Sequence, residues 1–157
     1  MPGQKTSLKR AAFLKGMSES HVAKLAGLGY RVHFEENQPI LTAGERSRKF
    51  YLLLSGSACV EVRAPFYTIC VQEINPGDAF GWSSLLYQQD TLFQVRSREA
   101  SSGFCWDGPQ LALACQEDRE FGLAFFYRVL ELLAGRVKAT ESKLAEFCGV
   151  LPIREQL

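Results

Sequence analysis

Residues 75–95 read NPGDAFGWSSLLYQQDTLFQV. A turn at Pro76-Gly77 leads through Phe80-Gly81 into two serines and an apolar run, the outline of a loop that aims amides and hydroxyls at an anion. The stretch contains no lysine or arginine before Arg96. It poses the central question of the chain, because a desolvated anion is ordinarily matched by a cation.

On both sides of this stretch the pattern is that of short strands. From Tyr30 to about Trp106 the apolar residues alternate, and turn signals recur at Asn37-Gln38-Pro39, Ala43-Gly44-Glu45, Ser55-Gly56-Ser57 and Ala64-Pro65. Strands at this spacing predict an antiparallel sandwich or barrel. In SACVEVR, Ala58, Val60 and Val62 share the core face, and Cys59, Glu61 and Arg63 share the wetter one. In YTICVQE, Tyr67, Ile69 and Val71 oppose Thr68, Cys70 and Gln72.

Helical periodicity flanks the strands. Val22, Leu25 and Ala26 fall on one face of a short N-terminal helix that Ser18 introduces and Gly27 to Gly29 stop. After Asp107-Gly108-Pro109 the segment PQLALACQED predicts a short helix, and residues 119–148 a long one. Within the long helix Phe126, Leu130, Leu133, Val137, Thr140, Leu144 and Phe147 recur at steps of four and three, a heptad seam suited to a twin helix. A second stripe, Phe121, Phe125, Val129 and Leu132, lies on an adjacent face and suits the β-domain. The two stripes together could also form one wide face buried within the chain.

Composition narrows the function classes. A chain of 157 residues is of single-domain length. A net charge of +1, with both signs interspersed, gives no footprint for nucleic acid or an acidic membrane. Five cysteines without a C-x-x-C pair read as buried thiols of a reducing cytoplasm rather than a disulfide framework. Neither a signal peptide nor a membrane-spanning run is evident, so a cytoplasmic protein is expected.

The order of the pieces resembles the cyclic nucleotide-binding domain, the module of the catabolite activator protein, the regulatory subunit of cyclic-AMP-dependent kinase and nucleotide-gated channels. The resemblance runs over roughly residues 13 to 148 and rests on Gly44-Glu45, Tyr51, Ser55-Gly56-Ser57, Pro76-Gly77-Asp78 and Phe80-Gly81. It implies an α+β, mainly β fold: an antiparallel β-roll of jelly-roll type with a short N-terminal helix, a short cassette helix and a long C-terminal helix. The division expected is a tail at 1–12, the roll with its helices at 13–118, a dimerisation helix at 119–148 and a tail at 149–157.

In that family the stretch after Phe-Gly is a phosphate-binding cassette, where a glutamate takes the ribose hydroxyl and an arginine the cyclic phosphate. Gapless alignment puts Trp82 at the glutamate and Thr91 at the arginine. Both charged anchors are missing, and losing a desolvated arginine–phosphate contact costs about 2–5 kcal/mol, which argues against tight cyclic-AMP binding. GWSSLL resembles a bacterial version of the cassette with Gly-Trp-Ser in place of Gly-Glu. The expected ligand site comprises Phe80, Gly81, Trp82, Ser83, Ser84, Thr91, Leu92 and Phe93, taking a cyclic nucleotide or another small anion. The serines could equally do no more than cap the cassette helix while Trp82, Leu92 and Phe93 fill the pocket. Arg96 and Arg98 could each supply the missing charge or remain solvated.

Enzymatic readings fail on inventory. A cupin-type metal centre needs two or three converging histidines with a carboxylate, and the chain has only His21 and His33, in different segments. No G-x-S-x-G motif and no serine or cysteine with a placed histidine is present. Only GVLPIREQL follows Cys148, too short for a helix-turn-helix, so direct DNA binding is not expected. The sequence thus predicts a non-catalytic bacterial sensor module, homodimeric through the long helix and signalling to a partner protein. The alternative is a protein-interaction module whose pocket is filled by its own side chains.

Overall fold

The computed structural model describes residues 8–86, 90 and 93–149. Thr91, Leu92 and residues 150–157 of the expected tail lie outside that range. Eight strands form two antiparallel four-stranded sheets. The first has the order β1 (Tyr30–Phe34), β8 (Ser101–Asp107), β3 (Lys49–Ser55) and β6 (Ala79–Phe80). The second has the order β2 (Pro39–Leu41), β7 (Gln94–Ser97), β4 (Ala58–Arg63) and β5 (Thr68–Ile74). Their pairing produces the expected β-roll.

Three helices pack on this roll. Helix α1 (Glu19–Leu28) starts at Ser18, whose Oγ accepts from the His21 amide at 3.2 Å. Asp107 and Asp118 cap α2 (Gly108–Glu117) and α3 (Arg119–Phe147) in the same way, accepting from the amides of Gln110 and Phe121. Lys24 donates to Asp118 at 2.9 Å, and this bond, with the Phe121 amide, lowers the carboxyl's pKa. At Gly122 the α2–α3 corner closes so tightly that a Cβ would stand 2.2 Å from the Cys115 carbonyl.

The core has two compartments, divided by the pleat of β3. Phe50 and Leu52 face the helices, where they join Leu14, Leu25, Trp106, Phe121 and Phe125. Leu53 belongs to the interior of the roll, with Val60, Ile74, Phe80 and Val95. Phe50 meets Phe13 and Phe125 with ring centroids 5.6 Å apart in each pair, and burial of each such ring contributes about 1.5–3 kcal/mol. Leu8 and Ala11 are buried in the helical compartment, so the expected tail at 1–12 is packed from residue 8 onward.

The strand pattern departs from strict alternation in β4. The β4–β5 register shifts between Val60 and Glu61, which pair with Gln72 and Cys70, so that Val71 of β5 is the extra residue. Cys59 and Glu61, expected on the wetter side, are both buried. The same irregularity brings Cys59 and Cys70 to a Cα separation of 6.0 Å, within bridging range, and they are joined as a disulfide. This corrects the expectation of five separate thiols. Simple period-two counting assigned the two cysteines to outer faces and could not show that they meet.

The remaining thiols have unequal access. Burial pushes the Cys115 thiol up to about 11 and also raises Cys105, whereas Cys148 is exposed at the end of α3. In native protein at pH 8 without reductant, a maleimide should modify Cys148 rapidly and reach Cys105 and Cys115 only on unfolding. Mass spectrometry showing Cys105 or Cys115 labelled as fast as Cys148 would contradict this packing.

Candidate functional site

The cassette begins where β6 ends. Gly81 has φ +84°, and a Cβ there would lie 2.5 Å from the Lys49 carbonyl, so both backbone sign and space demand glycine. The chain then makes a single 3₁₀ turn over Trp82–Leu85. Neither serine caps it, contrary to one expectation: the Ser84 hydroxyl donates back to the Gly81 carbonyl at 2.7 Å. So short a turn has little macrodipole to offer an anion.

A cavity of about 70 Å³ opens beside this turn. Phe80, Gly81, Trp82 and Ser83 form its cassette wall, and Leu41, Val60, Phe93 and Val95 its roll wall. Five of the eight expected ligand residues are therefore brought together. Of the others, Ser84 is turned back into the cassette, and Thr91 and Leu92 lie outside the described residues. Trp82 also packs against the helical compartment, the one that α3 joins through Leu132 and Leu133. Phe80 stacks on Tyr51 at 5.0 Å within the roll.

Of the two cations suggested by the sequence, Arg96 is engaged elsewhere and Arg98 lies apart from the cavity. Arg96 donates through Nε to Glu61 at 2.9 Å and through Nη1 to the Asn37 carbonyl at 2.9 Å. Gln94 donates to the same Glu61 carboxylate, so this buried acid is satisfied from two sides. Lys49 lies 3.6 Å from Asp107. Arg98 is exposed and does not line the cavity.

A cation nevertheless borders the pocket, and it comes from α3. Arg136 lines the cassette cavity and also a second cavity of about 250 Å³ on its other side, next to Gln72 and Asp78. Its Nε and Nη1 are buried and have no hydrogen-bond partner among the described residues. Burial pushes the guanidinium down to about 10, corresponding to a penalty on the order of 3 kcal/mol at neutral pH. Because the unfolded chain binds this proton more tightly, the penalty is full at neutral pH and fades only as pH rises past about 10.

Sequence reasoning missed Arg136, although a signal existed. The stripe Phe121, Phe125, Val129 and Leu132 steps by four, four and three, and its next member four residues on is Arg136. The stripe itself behaves as expected: Phe121, Phe125 and Val129 are buried against the roll and its helices. The heptad seam does not share this fate. Phe126, Leu130, Val137, Leu144 and Phe147 are exposed on the single chain, while Leu133 and Thr140 are half-buried.

Among the described residues, no group of three or more His, Cys, Asp or Glu is placed to hold a metal ion. No helix among them is long and apolar enough to cross a membrane. His21 lies edge-on to Phe121, with 5.8 Å between ring centroids.

Comparison with known proteins agrees with this architecture. A search of curated proteins finds no match. Among solved structures, a cyclic nucleotide-binding domain from Methylobacillus flagellatus superposes with a TM-score of 0.77 at 14% identity, over 99% of this chain and 86% of that one. The c-di-GMP responsive global regulator CLP of Xanthomonas campestris gives 0.75 at 14% identity, over 83% of this chain and 65% of that one. The regulatory subunit of a cAMP-independent protein kinase A from Trypanosoma brucei gives 0.70 at 18% identity, over 93% and 52%. At these identities the likeness is one of fold. The model of the cyclic nucleotide-binding domain matches residues 31–118, from β1 to the cap of α3 and more than half of the sequence, and the chain belongs to that family.

Proposed function

We propose that this chain is a non-catalytic regulatory module that senses a small anionic molecule in the cassette cavity and acts as a homodimer through α3. The observation that carries the reading is the cavity itself, an apolar pocket bordered by Arg136, whose Nε and Nη1 are buried and without a partner among the described residues. A guanidinium with buried donors is stabilised by an acceptor-rich partner such as an anion. Cyclic AMP is not the expected ligand, because Trp82 occupies the place of the family's ribose-binding glutamate. A partner protein would read the resulting change in α3, and the fold neighbours that respond to c-di-GMP or are independent of cAMP fit a family whose ligand varies.

A second reading is favoured by the size of the pocket. Ligand sites usually enclose about 300–1,000 Å³, and the cassette cavity, at about 70 Å³, is far below that. A nucleotide-sized ligand would have to displace Trp82 or lift α3. If neither moves, the module is self-filled and recognises protein alone.

A thermal-shift screen of the purified chain against cyclic mono- and dinucleotides, other nucleotides and small anions separates the two. At a hundredfold excess over Kd, a bound ligand adds about 2.7 kcal/mol and raises the melting temperature by about 5–10 °C. We expect such a shift with one class of anion, together with a change in Trp82 emission. Trp106, buried and bonded to the Leu25 carbonyl at 2.8 Å, serves as the unresponsive reference. A cooperative transition unmoved by every compound would instead select the self-filled module.

The dimer is tested at the exposed seam. Burying each large seam residue contributes about 1.5–3 kcal/mol, so Leu130→Lys with Val137→Lys should convert a dimer to a monomer in sedimentation equilibrium. Both side chains are exposed on the single chain, so helicity and melting of the monomer should survive. A wild-type chain that sediments as a monomer at tens of micromolar would overturn the homodimer.

A further inference from the structure

We propose that Arg136 of α3, not the cassette, supplies the anion-binding group of this pocket, and that its ligand presents a carboxylate or phosphate on a compact aromatic or apolar body. The proposal deepens the reading of the cassette cavity as a ligand site and rests on it.

The lining is what assigns the ligand class. Phe80, Trp82 and Phe93 offer ring surface, Ser83 a hydroxyl, and Arg136 the one charge among the described residues. Among the described residues no carboxylate lines this cavity, so a cationic ligand would meet only like charge from them. A guanidinium has five N–H donors and no acceptor, so only a group rich in acceptors can satisfy it. A carboxylate or phosphate does so with charge-assisted bonds.

The second cavity beside Arg136 is the poorer place for an anion. Glu73, Asp78 and Glu131 border it, and the unpartnered Oε1 of Gln72 is itself an acceptor. The other nearby guanidinium there, Arg128, is occupied by Glu131 at 3.0 Å and by the Lys15 carbonyl at 2.6 Å. The anion therefore belongs on the cassette side.

Placing the charge on α3 has a mechanical consequence. Where the cationic anchor sits within the roll, a helix can only cover the ligand. Here the ligand would be gripped between the roll and the helix, so its binding energy would act directly on the position of α3. Differential affinity for two positions of that helix is the requirement for a switch.

The test uses the full chain, with phenyl phosphate, benzoate and inorganic phosphate as oxyanion probes and benzamide as a neutral probe at matched ionic strength. Binding is followed by calorimetry and melting for wild type, Arg136→Gln, Arg136→Lys and the exposed control Arg98→Gln. We expect wild type and Arg98→Gln to bind an oxyanion probe and not benzamide. Arg136→Gln should bind it roughly thirtyfold more weakly or worse, with part of the loss restored in Arg136→Lys. In chloride buffer alone Arg136→Gln should melt no lower than wild type, since it removes an unpartnered buried charge.

Equal oxyanion affinity in wild type and Arg136→Gln would overturn the assignment of Arg136 while leaving the ligand pocket intact. Absence of binding by any oxyanion to wild type would overturn both. Melting of Arg136→Gln several degrees below wild type in chloride would make Arg136 a structural residue and likewise overturn the proposal.

Discussion

Everything in this structure that concerns function depends on how α3 is held against the roll. Phe121 and Phe125 are fully buried, and Phe125 meets Phe50 and Phe13 at 5.6 and 6.0 Å between ring centroids. Phe50 in turn approaches Trp106 of the neighbouring strand at 6.0 Å. Aromatic packing of this kind fixes both the height and the rotation of a helix. Arg136 follows Phe125 by eleven residues, about three turns and roughly 16 Å along the axis. It therefore emerges on the same face, at the cassette.

Above that anchor the polar groups divide into those already committed and one that is not. Ser84 is bonded to Gly81, Arg96 to Glu61 and Asn37, and Arg128 to Glu131 and Lys15. Arg136 alone among these has no acceptor for Nε and Nη1 among the described residues. In the loop that looked built for an anion Ser84 is turned back, and the guanidinium that borders its cavity comes from 54 residues beyond Trp82 in the chain, on another element. The cation proposed for residues 75–95 is thus one that only tertiary structure brings near.

Much of the fold was legible because it follows from local rules. Ser18, Asp107 and Asp118 cap helices where an N-cap residue should stand, and Pro76-Gly77 and Phe80-Gly81 mark turns that only glycine accepts with ease. The stripe Phe121, Phe125 and Val129 is buried as its spacing required. What was not legible arose from departures from period. The register shift at Val60/Glu61 put Cys70 opposite Glu61 and so beside Cys59, giving the Cys59–Cys70 pair, while Glu61 is buried under its bond with Arg96. Of the residues that line the cassette cavity, Phe80 to Ser83 and Phe93 had been named through the resemblance, whereas Arg136 was hidden because a charge at the end of an apolar stripe reads as its end rather than its continuation.

The most direct test of this account is the position of an ordered anion in a crystal of the wild-type chain soaked with selenate, located by anomalous scattering. The account predicts a selenium peak in the cassette cavity, with selenate oxygens within hydrogen-bond distance of the Arg136 guanidinium and near Ser83. Selenate ordered only at exposed arginines such as Arg98, with the cassette cavity filled by Trp82 and Arg136 bonded to a protein carbonyl, would contradict it.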